Sequence, residues 1–552
     1  MNFELPPTGT EQSPAFVNAV ACHDWLGTVP LANAVQAQSL FLRQLSQLHR
    51  FTLPTADRFA VLEALRGPLR DVQEDAAKKF AGKPLPLAPH EQASMETTLN
   101  VWFELALGYL RCFEECCNGA TASATSLAAQ RSKLADDSHL AGKAAMMAER
   151  TMAVFADWQL DLSRGGQVPD ASYWQKLHQI FLAAESLGIA ARAVKDPVRH
   201  GNGATSTLAS YAECCLLSTA NVYELPARHL NWVARWAKRW GAKLALLTSP
   251  PEDIRNRAVP LWVDLESDRP PSYLPRQADG GRWLETTDLR KSIVARLALL
   301  EKGRAPADLQ LGDDVTQPAA TLLLQRVLQR WCKGGATRRQ ERHPAATDCS
   351  FVIGLELVHF ELSGRAPFRA PTRNDSTLRR EREEFETFGN HGTRAAAAGD
   401  KGEAHIEHWS VLDESTSGLR VKRPLKEGAR VGAGLTVATK ISDGQYFVVG
   451  NVRWVLREGG DSLVAGIQLF PGEARPVAVR VLETDGSSSA WRQGLLLPEI
   501  AALREPASVI LPAGTYRIDR KVEIMVDQKM QTLKLFRVID RSIEFERCNF
   551  YD

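Results

Sequence analysis

The last third of the chain, from residue 406 onward, consists of short apolar runs separated by turns that contain glycine. Such runs are typical of β-strands, because a helix needs a longer stretch with a different apolar period. The candidate strands are residues 409–412, 419–421, 435–439, 446–456, 463–470, 477–482, 508–511, 521–526, 532–538 and 542–547. Their close spacing predicts an antiparallel barrel or a pair of packed sheets, and it argues against alternating βαβ units.

Residues 1–335 show mostly helical periodicity instead. Phe41, Leu45 and Leu48 recur at the spacing of one helix face, and several other stretches repeat this pattern. Two short apolar runs inside this region are candidate strands, residues 242–248 and 261–265. The predicted fold class is therefore α + β and multidomain, with a mostly α-helical N-terminal region followed by the β part.

A chain of 552 residues is too long for a single hydrophobic core. Residues 333–344 contain glycines, a charge run and a terminal proline, which is typical of a linker, and residues 365–402 are polar and rich in glycine and alanine. The predicted organisation is a helical region of one or two subdomains at 1–335, a linker and arm at 336–405, a β-domain at 406–480 and a second small all-β domain at 481–552.

The composition excludes several classes of protein. The net charge of +2 gives no global field that would draw the chain to nucleic acid. No apolar run is long enough for a transmembrane helix, the N-terminus lacks the pattern of a secretory signal, and the nine cysteines are scattered. We therefore expect a cytoplasmic protein with reduced thiols. Motifs for phosphate loops, serine hydrolases and zinc proteases are missing, so the sequence predicts no catalytic residues, no metal site, no cofactor and no enzyme activity.

One short pattern suggests a binding site: Asp413-x-Ser415-x-x-Gly418, between two candidate strands. The short polar side chains of Asp413 and Ser415 alternate along the chain and so face the same way. Gly418 permits a tight turn where a side chain would clash. A carboxylate suits the N1–H and N2–H₂ donors of guanine, so the pattern fits recognition of a purine edge.

The pattern resembles the D/N-x-S-x-x-G signature of PilZ domains. Residues 449–455 resemble the G-x-V-x-W strand of that family, and residues 465–470 resemble its closing G-I/V-Q-F strand. The resemblance covers residues 406–480 and implies a PilZ-type antiparallel β-barrel. Its expected core comprises Val411, Leu419, Val421, Val452, Trp454 and Ile467. Residues 507–514 resemble the extra barrel of larger proteobacterial PilZ-containing proteins, which implies that 481–552 forms a second small β-barrel.

The resemblance also implies a ligand, the bacterial second messenger cyclic-di-GMP. PilZ receptors hold its phosphates with an R-x-x-x-R arm just before the barrel, because guanidinium groups pair with phosphate oxygens. The expected ligand-binding residues are Asp413, Ser415, Gly418, Arg365, Arg369, Arg373, Arg379 and Arg380. The first three of these arginines have the four-residue spacing but lie farther upstream than the family pattern, whereas Arg379 and Arg380 lie nearer and lack the spacing. Binding is expected to order the 365–402 arm around the ligand.

Two readings of the whole chain remain open. In the first, the protein is a receptor that transmits cyclic-di-GMP binding to an unknown protein partner through its helical region. In the second, the barrel is degenerate and the protein is an interaction scaffold that binds no nucleotide. A weaker alternative concerns Trp232, Trp236 and Trp240, which alternate with basic residues along one candidate helix and could stack on nucleic-acid bases. A buried tryptophan edge explains the same pattern, so we expect no nucleic-acid partner.

Overall fold

The computed structural model describes the chain except for residues 1–2, 11–12, 121–126, 252–256, 336–341, 372–404, 443, 484–486, 528 and 552. The chain forms two compact units. The first comprises Met1–Lys83 and Leu87–Arg338, and the second comprises Pro84–Pro86 and Arg339–Asp552.

The first unit is mostly helical, as the apolar periodicity predicted. Its helices are α1 (Ala19–Leu26), α2 (Ala34–Leu48), α3 (Thr55–Ala77), α4 (Pro89–Ala120), α5 (Leu127–Asp136), α6 (Ser138–Arg164), α7 (Ala171–Ser186), α8 (Pro197–His200), α9 (Thr207–Thr219), α10 (Ala227–Trp240), α11 (Thr287–Glu301) and α12 (Ala319–Cys332). Short strands complete it: β1 (Val194–Lys195), β2 (Ala204–Thr205), β3 (Ala245–Leu247), β4 (Leu261–Asp264) and β5 (Gly281–Glu285). Strands β3, β5 and β4 form an antiparallel sheet, which contains the two runs expected to be strands.

Local sequence explains why the helices begin where they do and which face they bury. Asn33 caps α2 by accepting a hydrogen bond from the backbone N–H of Gln36, and Phe41, Leu45 and Leu48 of that helix are buried. Asp170 caps α7 in the same way, by accepting from the N–H of Tyr173. The buried faces of these helices join one continuous apolar core.

The tryptophan-bearing helix α10 faces this core. Trp232, Trp236 and Trp240 are buried, and the indole N–H of Trp232 donates to the Asp314 carboxylate at 2.6 Å. The indole N–H of Trp236 donates to the carbonyl of Leu311 at 2.9 Å. Their rings are therefore packed inside the protein and do not present a surface on which nucleic-acid bases could stack.

The second unit contains two closed antiparallel barrels, each of six strands. The first barrel consists of β6 (His343–Ile353), β7 (Glu407–Ser415), β8 (Gly418–Pro424), β9 (Thr436–Ile441), β10 (Val448–Glu458) and β11 (Ser462–Leu469), in the order β10-β11-β8-β7-β6-β9. The second barrel consists of β12 (Arg475–Leu482), β13 (Arg492–Leu497), β14 (Ser508–Pro512), β15 (Lys521–Val526), β16 (Lys529–Arg541) and β17 (Phe545–Tyr551), in the order β12-β13-β14-β17-β16-β15. The α + β multidomain class with two small barrels is confirmed.

The barrel limits differ from those expected from the sequence. Strand β6 lies within the 336–405 stretch that was expected to be linker and arm, yet it pairs with both β7 and β9 and so closes the first barrel. Strand β12 lies mostly within the expected 406–480 domain, yet it pairs with β13 and β15 of the second barrel. Both differences have one cause, since barrel membership is set by hydrogen-bonded neighbours that are distant along the chain.

The core of the first barrel contains Val411, Leu419, Val421, Val452 and Ile467, as the resemblance implied. Trp454 differs, because it is only half-buried and faces outward. A register shift between Val452 and Trp454 marks a β-bulge, and the extra residue reverses the alternation of the side chains. Val455 then points inward in place of Trp454.

Helix α13 (Leu355–Leu362) follows β6 and packs where the two barrels meet. One apolar cluster unites Leu355 and Val358 of this helix with residues of both barrels, including Phe470 and Phe545, whose rings pack edge-to-face. The two barrels therefore share part of their core.

Candidate functional site

Asp413 lies near the end of β7, between the two neighbouring strands of the first barrel. In the register of the sheet it pairs with Pro344 of β6 and with Arg420 of β8. A bulge between Val411 and Asp413 places Val411 in the core and Asp413 on the outer face. The motif aspartate is thus directed out of the barrel, where a ligand could reach its carboxylate.

Two arginines flank this carboxylate. Arg342, which immediately precedes β6, donates from Nη1 to Oδ1 of Asp413. Arg420 places its Nη1 3.9 Å from Oδ2 of Asp413, and its Nη2 donates to Oε1 of Glu458 at 3.2 Å. The side chains of Arg342, Asp413 and Arg420 are 31%, 22% and 35% exposed, so the cluster lies at the surface and stays accessible. We call Arg342, Asp413, Arg420 and Glu458 the β7–β8 charge cluster.

The turn after Asp413 shows why a glycine is required. The hydroxyl of Ser415 donates to the carbonyl of Gly418 at 3.3 Å and closes the turn between β7 and β8. A Cβ atom at position 418 would lie 2.6 Å from the carbonyl oxygen of Ile467 on β11. Only glycine lets the two backbones approach so closely, so the glycine of the motif is needed for strand packing.

The structure places one of the expected arginines, Arg365, away from this site. The Nε of Arg365 lies 3.2 Å from the Glu361 carboxylate at the end of α13, and Nε2 of His405 lies 2.9 Å from the same group. His405 lies two residues before Glu407, the first residue of β7, which is at the opposite end of that strand from Asp413. At about 3.3 Å per residue, the step from Glu407 to Asp413 spans about 20 Å.

Arg365 therefore does not join Asp413, although the sequence analysis expected it to. Arg369 is exposed and follows Arg365 closely along the chain. The remaining candidates, Arg373, Arg379 and Arg380, lie outside the described residues, as does most of the 365–402 arm. The arginines that the structure does bring to Asp413 are Arg342 and Arg420, and neither was among the expected ligand-binding residues.

A sequence signal for Arg342 was present. The stretch before β6 contains Arg338-x-x-x-Arg342, with the spacing of the PilZ arm and directly in front of a barrel strand. The glycines, charge run and proline of the same stretch are typical of a linker, and a barrel that starts at 406 leaves the stretch outside it. Recognising β6 as the first barrel strand would have identified this pair. Arg338 itself is outside the described part of the chain.

An aromatic ring extends the site along the outer face of the barrel. In the sheet register Arg420 pairs with Gly466 of β11, and Gly466 pairs with Trp454 of β10. A Cβ at Gly466 would lie 2.2 Å from the indole nitrogen of Trp454, so the ring covers this glycine. Residues paired across strands share a face, and the outer face therefore presents a carboxylate, a guanidinium and an indole in one row.

The helical unit contains a second group of charged side chains, but these are paired with one another. The guanidinium of Arg66 donates to both oxygens of the fully buried Asp196, at 2.9 and 2.6 Å. Arg150 donates to Glu149 at 2.5 Å, and Arg199 donates to Glu213 at 2.8 Å. Cations and anions alternate through this buried charge network, which indicates a structural role.

The buried charge network shifts the pKa values of its members. Burial alone would raise the pKa of Asp196, but its hydrogen bonds and ion pair with Arg66 outweigh burial and hold that pKa well below the ordinary value. Burial raises the pKa of Glu149 despite the adjacent Arg150. Burial beside Arg199 lowers the pKa of His200 to about 4. These shifts record desolvation and pairing inside the unit.

The described part of the chain also lacks a membrane-spanning helix and a metal site. No helix there is both long and apolar enough to cross a membrane. Within the same residues, no group of His, Cys, Asp and Glu side chains is arranged to hold a metal ion.

Three family models match the chain. "Cyclic-di-GMP receptor FimW, N-terminal domain" matches residues 20–252, and "Cyclic-di-GMP receptor FimW, middle PilZ domain" matches residues 261–410. "FimW C-terminal beta-barrel domain" matches residues 477–552. The middle match includes β6 and the start of β7, which agrees with a PilZ region that begins before residue 406. Residues 411–476, with Asp413, lie between the middle and C-terminal matches.

A curated relative matches almost the whole chain. The Cyclic-di-GMP receptor FimW of Pseudomonas aeruginosa is 24% identical to it over 568 residues, covering 94% of this chain and 88% of the relative. The similarity therefore extends over the residues of all three domain matches.

Proposed function

We propose that this chain, whose three parts match the FimW domain models in order, is a receptor for cyclic-di-GMP. The observation that carries the proposal is the β7–β8 charge cluster. There Arg342, from the segment before the barrel, meets Asp413 of the D-x-S-x-x-G motif.

The chemistry of the cluster suits this ligand. A carboxylate such as that of Asp413 can accept from the N1–H and N2–H₂ groups of guanine, and arginine can bind either a phosphate or the O6 and N7 acceptors of guanine. Ser415 and Gly418 set the turn that holds Asp413 at the barrel surface. We propose that Asp413 and Ser415 read the guanine edge and that Arg342 contacts phosphate.

Binding requires a rearrangement of side chains, since Arg342 already occupies one oxygen of Asp413. A ligand that carries both hydrogen-bond donors and phosphates can break this internal pair. Its donors then bind the Asp413 carboxylate, and its phosphate binds the Arg342 guanidinium. The proposed switch is this exchange of partners at the entry to β6, transmitted to a protein partner through the helical region.

We place the activity in signalling, without a catalytic step and in the cytoplasm. All nine cysteines are free thiols, which fits a reducing compartment.

The test is calorimetric titration of the full chain with cyclic-di-GMP. Removal of one charge-assisted contact by Asp413→Asn or Arg342→Ala should cost about 1.5–3 kcal/mol of binding free energy, or about tenfold to a hundredfold in affinity. Asp288→Asn and Arg475→Ala are the matched controls. They remove exposed charges elsewhere, Asp288 on α11 and Arg475 on β12, and should leave binding unchanged. Equal affinity in all four variants would contradict the proposed site.

The scaffold hypothesis keeps one specific observation in its favour. Both oxygens of Asp413 have an arginine nearby within the chain, so the carboxylate is neutralised without any ligand. If the wild-type protein gives no heat and no thermal shift with millimolar cyclic-di-GMP, the receptor proposal fails and the scaffold hypothesis is preferred.

A further inference from the structure

The two arginines beside Asp413 are not engaged in the same way. Arg342 donates directly to Oδ1 of Asp413, whereas the nearest nitrogen of Arg420 is 3.9 Å from Oδ2, too far for a hydrogen bond. The Nη2 of Arg420 is directed to Glu458 at the end of β10, where it donates at 3.2 Å. Glu458 therefore holds the guanidinium of Arg420 partly away from the motif aspartate.

Arg420 also has donor capacity that the protein does not use. Its Nε is buried and has no hydrogen-bond partner among the described residues. An unused N–H that is shielded from water favours an incoming acceptor. The opposing position on β11 is Gly466, and the indole of Trp454 covers it on the outer face of the barrel.

The formal charges within the β7–β8 charge cluster cancel. Arg342 and Arg420 carry two positive charges, and Asp413 and Glu458 carry two negative charges, so the cluster is neutral as a whole. A neutral cluster attracts a dianionic cyclic dinucleotide less strongly than the same cluster would if Glu458 lost its charge.

We propose that Glu458 is an internal competitor that sets the affinity of the site. In the free protein Glu458 accepts a hydrogen bond from Arg420. The ligand must replace Glu458 as the partner of Arg420 before this second arginine can bind it. Arg420 then binds an oxygen of the ligand, and Glu458 acts only through Arg420, as a positioning residue. This inference rests on the proposed binding of cyclic-di-GMP.

The proposal predicts opposite effects for the two members of the pair. Exposed ion pairs are weak, so Glu458→Gln should tighten cyclic-di-GMP binding only about twofold to fivefold. Arg420→Ala should weaken binding about tenfold, because it removes a charged donor from the ligand. The double variant should bind like Arg420→Ala, because Glu458 has no role once Arg420 is absent.

The experiment is titration of the full chain with cyclic-di-GMP at low and high salt, with Glu473→Gln as the matched control. Glu473 is exposed between β11 and β12, so this control makes the same charge change away from the cluster. Glu458→Gln should also steepen the loss of affinity with salt, since it leaves a net positive site. An unchanged thermal midpoint in each variant would show that the fold is intact.

The outcomes separate this inference from the receptor proposal. If the wild type binds and Asp413→Asn weakens binding, but Glu458→Gln matches Glu473→Gln, then the receptor proposal stands and the competitor role of Glu458 is wrong. Tightening by Glu458→Gln that persists in the Arg420→Ala background would also overturn it, because the effect would not pass through Arg420. If the wild type does not bind at all, both proposals fail together.

Discussion

The contribution of one residue is clearest at Gly418, where the binding motif and the barrel packing coincide. Gly418→Ala should destabilise the second unit by about 1–3 kcal/mol, because the new methyl group would lie 2.6 Å from the Ile467 carbonyl oxygen and β11 would have to move. Chemical denaturation followed by a barrel-specific signal would measure this loss.

The control for this substitution is Gly142→Ala in α6. A Cβ there would meet only the Arg192 guanidinium, at 3.9 Å, and alanine favours a helix interior by about 0.5–1 kcal/mol over glycine. That variant should be neutral or slightly stabilising. Unchanged stability in Gly418→Ala would mean that the close approach of β8 and β11 is not a constraint.

Among the secondary-structure elements, α3 and α8 are joined by the bidentate pair of Arg66 and Asp196. Asp196→Asn should destabilise the helical unit by about 3–5 kcal/mol, because the Arg66 guanidinium loses its buried counter-charge and keeps only Glu63, at 3.4 Å, as an anionic partner. Asp75→Asn is the matched control, since Asp75 pairs with Lys78 on the same helix at 2.6 Å but both side chains are mostly exposed. That exposed pair should contribute less than about 1 kcal/mol.

The stability that the Arg66–Asp196 pair contributes should depend on pH. The pKa of Asp196 is held well below its ordinary value in the fold, so the folded state binds a proton less readily than the unfolded state does. The stabilisation from Asp196 should be fully present above the unfolded pKa of about 3.9 and should be lost as the pH falls further. The difference in unfolding free energy between wild type and Asp196→Asn should be constant from neutral pH to about pH 5 and shrink below about pH 4. A difference that stays constant down to the lowest pH would contradict a lowered pKa of Asp196 in the folded protein.

In the molecule as a whole, each unit has its own apolar core, and the two barrels of the second unit share part of theirs. Glu544, in the turn before β17, is hydrogen-bonded to two segments beside this shared core. Its carboxylate accepts from the backbone N–H of Leu355 at 2.8 Å and from that of Thr436 at 2.5 Å. The second barrel thus holds the start of α13 and the start of β9.

Glu544→Ala should destabilise the starts of α13 and β9 beside the shared core, because two buried backbone donors lose a charged acceptor worth about 1.5–3 kcal/mol. Hydrogen exchange should accelerate at the amides of Leu355 and Thr436 before other parts of the barrels respond. Glu499→Ala, at an exposed position after β13, should leave exchange unchanged. If both variants exchange alike, the shared core alone joins the barrels.

The sequence by itself determined the features that depend on local pattern. Helical periodicity identified the N-terminal region, short apolar runs identified most barrel strands, and the spacing of Asp413, Ser415 and Gly418 identified one wall of the candidate site. The helix and strand predictions are confirmed because a side chain's face follows from its position in its own element. The binding role of Asp413, Ser415 and Gly418 stays a prediction.

Only the tertiary structure decided which distant segments meet. It assigned β6 to the first barrel, brought Arg342 to Asp413, placed Arg365 against Glu361 at the other end of β7, and turned Trp454 outward through a bulge. Local periodicity carries no information on barrel closure, because closure pairs strands that are separated by a long insertion. The arginine of the site could therefore be chosen only once the strand that follows it had been placed.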